Sequence, residues 1–178
     1  MISGFTVKCF VAVILVAAGA AGGAYQAMRL SQRERMIEEL IGGIRLFRSE
    51  IYYTHDRLAD VSRRLTDSCS GCAAHLFQTF CGELAKGDGI DTAQIWKNTV
   101  NNTFKSNSPL SEKDRDVLIS AGSRLGRDDI EGQCRYLEKT EEELKVRLGE
   151  ARKDRETKSS LYKTLGVATG SAAAILVF

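Results

Sequence analysis

From Phe5 to Met28 the chain carries a single charge, Lys8, in a run built mainly from Val, Ile, Leu, Ala and Gly. Wound as a helix, those residues reach about 36 Å, more than the roughly 30 Å of a bilayer's hydrocarbon core. A second apolar run, Leu161 to Phe178, is interrupted only by Lys163 and a few small polar residues. It reaches about 27 Å, near the lower limit for a span. Apolar stretches of this length must be covered by lipid or by protein. The first has a competing reading as a cleaved signal peptide, since Ala17 to Ala27 is rich in small residues. A signal peptide carries its positive charges ahead of the apolar run; here Arg29, Arg33 and Arg35 follow it and only Lys8 precedes. The second has a competing reading as a core helix, which would need protein on every face. Both are read as transmembrane helices, residues 5–28 and 161–178, flanking a domain of residues 29–160.

Lys and Arg then set the orientation. Arg29, Arg33, Arg35, Arg45 and Arg48 follow the first run; Lys145, Arg147, Arg152, Lys153, Arg155 and Lys158 lead into the second. By the positive-inside rule residues 29–160 are expected in the cytosol, with both termini outside. In that reducing compartment Cys9, Cys69, Cys72, Cys81 and Cys134 are expected as free thiols. The 25 basic and 23 acidic residues leave a net charge of only +2, which gives no field for nucleic acid.

Between the runs the patterning is helical. Pro109 is the single proline in 178 residues, so long helices can form almost anywhere else. Ile37, Leu40, Ile41, Ile44, Phe47 and Ile51, then Leu58, Val61 and Leu65, recur at steps of three and four and predict one amphipathic helix running on from the first span. Gly42 and Gly43 within it predict a kink or a close helix contact. A turn is expected at Asp67 to Gly71. Leu76, Phe77, Phe80 and Leu84 mark a second helix, ending at Gly87-Asp88-Gly89. Asp91 is placed to cap a third, carrying Ile95, Trp96 and Val100. Asn101 to Pro109 reads as irregular. Ser111 to Asp114 has the spacing of a capping box, with Asp in place of Glu, and opens a fourth helix that Gly126 closes. Asp128 and Asp129 favour a fifth, which becomes densely charged, is supported by pairs such as Glu141–Lys145, and continues into the second apolar run. No strand alternation stands out. The fold class is all-α: a compact antiparallel helical bundle flanked by the two transmembrane helices.

Chemistry-bearing motifs are sparse. There is no phosphate-binding loop and no dinucleotide fingerprint, and an enzyme is not expected. His55, beside Tyr52, Tyr53 and Asp56, reads as a surface or packing residue on a helix. Cys69, Cys72, His75 and Cys81 have the residue types of a zinc site, and Cys69 with Cys72 the spacing of a redox pair. Against this, all four ligands would have to come from 13 residues of turn and amphipathic helix. Cys81 also falls on the apolar stripe, where a free thiol acts as a small hydrophobe. No cofactor and no metal are assigned.

Leu110, Asp114, Leu118, Gly122, Leu125-Gly126, Asp129 and Gln133 form a spaced string that resembles stage III sporulation protein AB of endospore-forming bacteria. Leu46 to Tyr53 is similar to that family's first soluble helix, Ala93-Gln94-Ile95-Trp96 to its Ala-x-x-Trp element, and Leu161 to Val167 with Gly170 to its tail. Two segments depart from the family pattern. Thr54-His55-Asp56-Arg57 stands where a proline-containing turn is usual, and the cysteine-rich Cys69 to Cys81 is peculiar to this chain. The resemblance implies a component of the sporulation channel between mother cell and forespore, in the mother-cell (outer forespore) membrane. It also implies a domain like the cytosolic helical domains of the platform protein in type II secretion and type IV pilus systems. Such a platform docks a secretion-type ATPase, here one like stage III sporulation protein AA, and contacts other membrane subunits.

On this basis the leading expectation is a membrane-anchored adaptor, with Arg124, Arg127, Asp128, Asp129 and Gln133 as the candidate partner patch. Ordinary structural roles compete at the same turn: Asp129 as a helix cap, Leu125 in the core, Gln133 bonded to a neighbouring helix. The alternative functions are an exported or membrane-attached structural protein and the zinc or thiol protein built on Cys69, Cys72, His75 and Cys81.

Overall fold

The computed structural model describes residues 2–86 and 89–177, with side chains for 10–86 and 89–175, and every regular element among them is helical. Six α-helices follow in order: α1 (Ile2–Thr54), α2 (Leu58–Ser68), α3 (Gly71–Ala85), α4 (Thr92–Thr103), α5 (Glu112–Ala121) and α6 (Ile130–Val177), with a 3-10 turn at Gly122–Arg124. The chain divides into two compact units, residues 33–149 and residues 1–32 with 150–178. The expected end of the second soluble helix at Gly87-Asp88 lies outside the described residues.

The 33–149 unit is built around aromatic side chains. Phe47 of α1, Phe77 and Phe80 of α3 and Trp96 of α4 are all fully buried. Phe80 meets Trp96 edge-on at 4.9 Å, Phe47 meets Phe77 at 5.3 Å, and Phe47 stacks on Trp96 at 6.0 Å. Offset and edge-on pairs of this kind add to the burial of each ring. Ile37, Leu40, Ile44, Val61, Leu65, Leu76, Val100, Leu118, Leu137 and Leu144 complete the core, so the three-and-four periodicity marks the buried faces. Of the glycine pair in α1, only Gly43 is a close contact: a Cβ there would lie 3.0 Å from the Ala73 Cβ and 3.1 Å from the Phe77 ring, whereas Gly42 has open space.

In the other unit the two apolar segments lie against each other through glycine. A Cβ on Gly19 would collide with the Gly166 carbonyl and lie 3.0 Å from Gly170; one on Gly23 would collide with the Tyr162 carbonyl. Backbones approach this closely only where small residues recur every four positions. Outward, Phe10, Val13, Ile14, Leu161, Leu165 and Ile175 stay exposed. Among the described helices only α1 is long and apolar enough to cross a membrane. The 161–178 segment is helical through Val177, but Lys163 and its small polar residues dilute its apolar character.

Three expectations are corrected. The amphipathic pattern from Ile37 to Leu65 is two helices, not one: α1 stops at Thr54, and His55 takes φ +56°, a left-handed conformation uncommon outside glycine. The Thr54 hydroxyl donates to the Glu50 carbonyl at 2.8 Å and accepts from the Asp56 N–H at 3.3 Å, satisfying the broken end. His55 is therefore in a turn, off the helix. The fourth helix ends at Ala121, and the 3-10 turn fills the gap to Leu125. Asp91 occupies the N-cap position of α4, but its side chain makes no capping bond, because it is drawn to Arg127.

Candidate functional site

The α4–α5–α6 junction is held by a dense set of side-chain bonds. Ser111 and Asp114 close the expected capping box at the start of α5: the Asp114 N–H donates to the Ser111 hydroxyl at 3.2 Å, and the Ser111 N–H to the Asp114 carboxylate at 2.8 Å. Asp114 is completely buried and also takes a two-pronged bond from Arg33 of α1, at 2.8 and 3.0 Å. Burial alone would raise the Asp114 carboxyl; the Arg33 guanidinium and the Ser111 donors outweigh it and hold the group below its ordinary range. One turn on, the Leu118 carbonyl accepts the Trp96 indole N–H at 2.7 Å. Gly122 lies directly on that indole, where any Cβ would overlap the ring. Leu125 is buried, and Gly126 turns the chain at φ +73°.

The residues expected as a partner patch sit at this junction. Arg124 reaches Asp128 at 3.5 Å and lies over the Tyr136 ring at 5.3 Å. Arg127 makes two bonds to Asp91, at 3.0 and 2.8 Å. Asp129 accepts the Gly132 N–H at 2.8 Å, capping α6 as its sequence position predicts. The Gln133 amide donates to the Asp128 carbonyl at 2.8 Å and accepts from the Gly126 N–H at 3.4 Å. The structure thus brings Arg124, Asp128, Asp129 and Gln133 to one turn and ties Arg127 to the start of α4. Each has an internal partner.

A neighbouring surface carries residues that the sequence reading passed over. Tyr52 and Tyr53 at the end of α1 are 53% and 76% exposed, with rings 5.1 Å apart and perpendicular. They line a cleft of about 410 Å³ with Arg45, Arg48, Ser49, Cys134 and Glu138, and a second of about 620 Å³ with His55, Asp129, Ile130 and Glu131. Arg45 and Arg48 are oriented by Glu141, at 2.8 and 3.5 Å. The legible signal was that both tyrosines fall off the stripe ending in Ile51.

Comparison with known families decides what kind of chain this is. The family model described as stage III sporulation protein AB matches residues 8–178. The chain belongs to that family. A solved structure titled "Stage III sporulation protein AB (SpoIIIAB)" shares the fold, with a TM-score of 0.63 at 22% identity, covering 70% of this chain and 96% of that one. No curated protein matches. The stage III sporulation protein AB family is one of structural sporulation proteins, not a known enzyme family.

In this family member the spaced string that carries the resemblance is a folding device. Asp114 fixes α5 to α1, Leu118 holds Trp96, Gly122 admits the indole, Gly126 makes the turn, Asp129 caps α6 and Gln133 spans the turn. The cysteine cluster does not assemble as a zinc site. Cys72 donates its thiol to the Met36 carbonyl at 3.4 Å, and Cys81 to the Ala59 carbonyl at 3.5 Å, two acceptors on different helices. No group of three or more His, Cys, Asp or Glu among the described residues is arranged to hold a metal. Burial raises the Cys69 and Cys72 thiols, Cys72 strongly and with Glu39 adding to the rise. That is the reverse of what a reactive thiol needs.

Proposed function

We propose that this protein is a membrane-anchored adaptor of the sporulation channel complex between mother cell and forespore. In this reading residues 5–28 and 161–178 cross the outer forespore membrane, and residues 29–160 lie in the mother-cell cytosol and dock a secretion-type ATPase. The observation that carries it is α1: its N-terminal part is apolar and exposed on its outer faces, and it continues as one helix to Thr54. A soluble core helix buries such residues, whereas lipid accepts them. The glycine-mediated contact with 161–175 supports treating the second apolar run as the other half of a membrane pair.

Tyr52, Tyr53, Arg45 and Arg48 are the docking residues in this reading. Tyrosine and arginine beside a cleft are the side chains that most often dominate protein interfaces, and Asp129 and Glu131 of the junction border the second cleft. The test is co-purification of the full-length protein, in detergent, with an ATPase like stage III sporulation protein AA. Tyr52→Ala with Tyr53→Ala is expected to abolish capture at unchanged melting temperature; unchanged capture would remove these residues from the interface. Digestion of the 29–160 domain by protease added outside sealed cells would overturn the cytosolic assignment.

A further inference from the structure

We propose that the unit of residues 1–32 and 150–178 meets the lipid headgroups at a level held by Tyr25 and Tyr162, so that the hydrocarbon ends at Tyr25 rather than at Met28. This rests on the membrane anchoring proposed above and adds to it a depth and the two side chains that fix it. Along α1 every residue from Phe10 to Ala24 is apolar or glycine, and the first polar side chains after it are Tyr25 and Gln26. Gln26 is exposed, and an outward amide suits the headgroups, where it finds partners, not the hydrocarbon, where it finds none. Along α6 the polarity changes in the same way. Between Leu165 and Ile175 the polar side chains are Thr169 and Ser171, and the Thr169 hydroxyl is satisfied within the helix by the Leu165 carbonyl at 2.8 Å. Next towards the charged part of the helix come Thr164, whose hydroxyl donates to the Ser160 carbonyl at 3.0 Å, then Lys163 and Tyr162.

The glycine contact sets the two changes at one level. A Cβ on Gly23 would collide with the Tyr162 carbonyl, so Tyr162 stands beside Gly23, and Tyr25 follows Gly23 by two residues, about 3 Å. Both tyrosines are exposed. Beyond them the first charges are Arg29 on α1 and Lys158 on α6, each one turn further, about 6 Å. Aromatic rings with a hydroxyl at the rim, and cations one turn outside them, are the order in which a bilayer presents its hydrocarbon edge and its phosphates. Lys163 is exposed next to Tyr162; its stem lies along apolar surface while its ammonium returns to the phosphates. A span of about 20 residues counted back from Tyr25 reaches Phe5, where the apolar run begins.

The test uses full-length protein in phosphatidylcholine nanodiscs, with the native cysteines replaced and single spin labels at the exposed positions Ala18, Ala21 and Met28 of α1 and Ser160, Leu165 and Ala168 of α6. Collisions with oxygen should dominate at Ala18, Ala21, Leu165 and Ala168, and collisions with a water-soluble nickel chelate at Met28 and Ser160. Tyr25→Ala with Tyr162→Ala should move that crossover by at least half a turn, about 3 Å, and Tyr25→Trp with Tyr162→Trp should leave it in place. The contact with Gly23 is made by the Tyr162 carbonyl, so removing the rings leaves the helix pair intact. Where replacing the cysteines lowers the melting temperature, the native-cysteine chain carrying Tyr25→Trp reads the same depth. Its added fluorescence should be quenched more by lipid brominated near the headgroup than by lipid brominated deep in the chains. Oxygen dominating at Met28, deep quenching of Tyr25→Trp, or a crossover unmoved by the alanine pair overturns the proposal and leaves the anchoring standing. Chelate dominating at all six positions overturns the anchoring itself, and the proposal with it.

Discussion

The two units hold helices together by opposite means. In residues 33–149 the contacts are made by large side chains with directional bonds: Trp96 on the Leu118 carbonyl, Arg33 on Asp114, Gln133 across its turn. In the unit of residues 1–32 and 150–178 the contact is made by having no side chain, at Gly19, Gly23, Gly166 and Gly170. In water the burial of apolar groups drives association, and buried polar bonds select one arrangement among many. Between apolar segments in lipid that drive is absent, and close backbone approach must serve instead. The contrast is what the membrane reading predicts, and it can be broken from either side.

The largest effect is expected at Asp114. Asp114→Ala takes the carboxylate from the part-buried Arg33 guanidinium and removes the capping box, costing about 3–5 kcal/mol. Trp96 is the single tryptophan, so its fluorescence reports unfolding of the 33–149 unit directly, in urea with the full chain in detergent. The same carboxylate predicts the acid response. Its folded pKa is depressed, so its contribution is complete well above the ordinary carboxylate value, declines once the pH falls through that value, and is lost below the depressed folded one. Glu39 and Glu141 are depressed too and steepen the loss. A midpoint independent of pH from 6 down to 3 would contradict this.

Next is the indole. Gly122→Ala forces a methyl into Trp96 and is expected to cost about 1–3 kcal/mol by overpacking. Trp96→Phe keeps a ring but removes the buried bond from the indole to the Leu118 carbonyl, for about 1–3 kcal/mol; circular dichroism replaces fluorescence as the readout. Gly19→Leu with Gly166→Leu sharpens the comparison, because the Trp96 midpoint should not move. Spin labels at Ala17 and Ala172, with the native cysteines replaced, should show a longer and broader distance distribution. A matching loss of Trp96 signal would show that the two units unfold together. The smallest effect is expected at Arg127→Ala, an exposed ion pair with Asp91 worth within about 1 kcal/mol.

Features set by neighbours in sequence were legible. The capping box at Ser111 and Asp114 and the cap at Asp129 each depend on spacing of a few residues, and each is present; Gly126 has the positive φ expected of it, but beyond the 3-10 turn rather than at the end of α5. What escaped was decided across long separations. The Asp91 carboxylate faced a choice between its own helix and Arg127, 36 residues away, and a charged donor offering two bonds prevailed. Trp96 was visible as a core residue, but not that its N–H would find the Leu118 carbonyl. The break after Thr54 escaped because it uses neither proline nor glycine; His55 bears the left-handed conformation instead. The four-residue spacing of Gly19 with Gly23, and of Gly166 with Gly170, was readable and went unread. The internal bonds of Arg124, Arg127, Asp128, Asp129 and Gln133 became visible only in three dimensions.

Arg33 and Asp114 are separated by 81 positions. On a ribosome adding roughly 5–20 residues per second, the arginine waits on the order of 4–16 s for the aspartate to be made. In the proposed insertion it stands, during that wait, just beyond the first hydrophobic stretch without the aspartate, available to influence which way that stretch is threaded. Only afterwards is its charge cancelled inside the finished domain. Under the proposed membrane anchoring, one residue would work twice, early as a signpost for insertion and late as a structural tie.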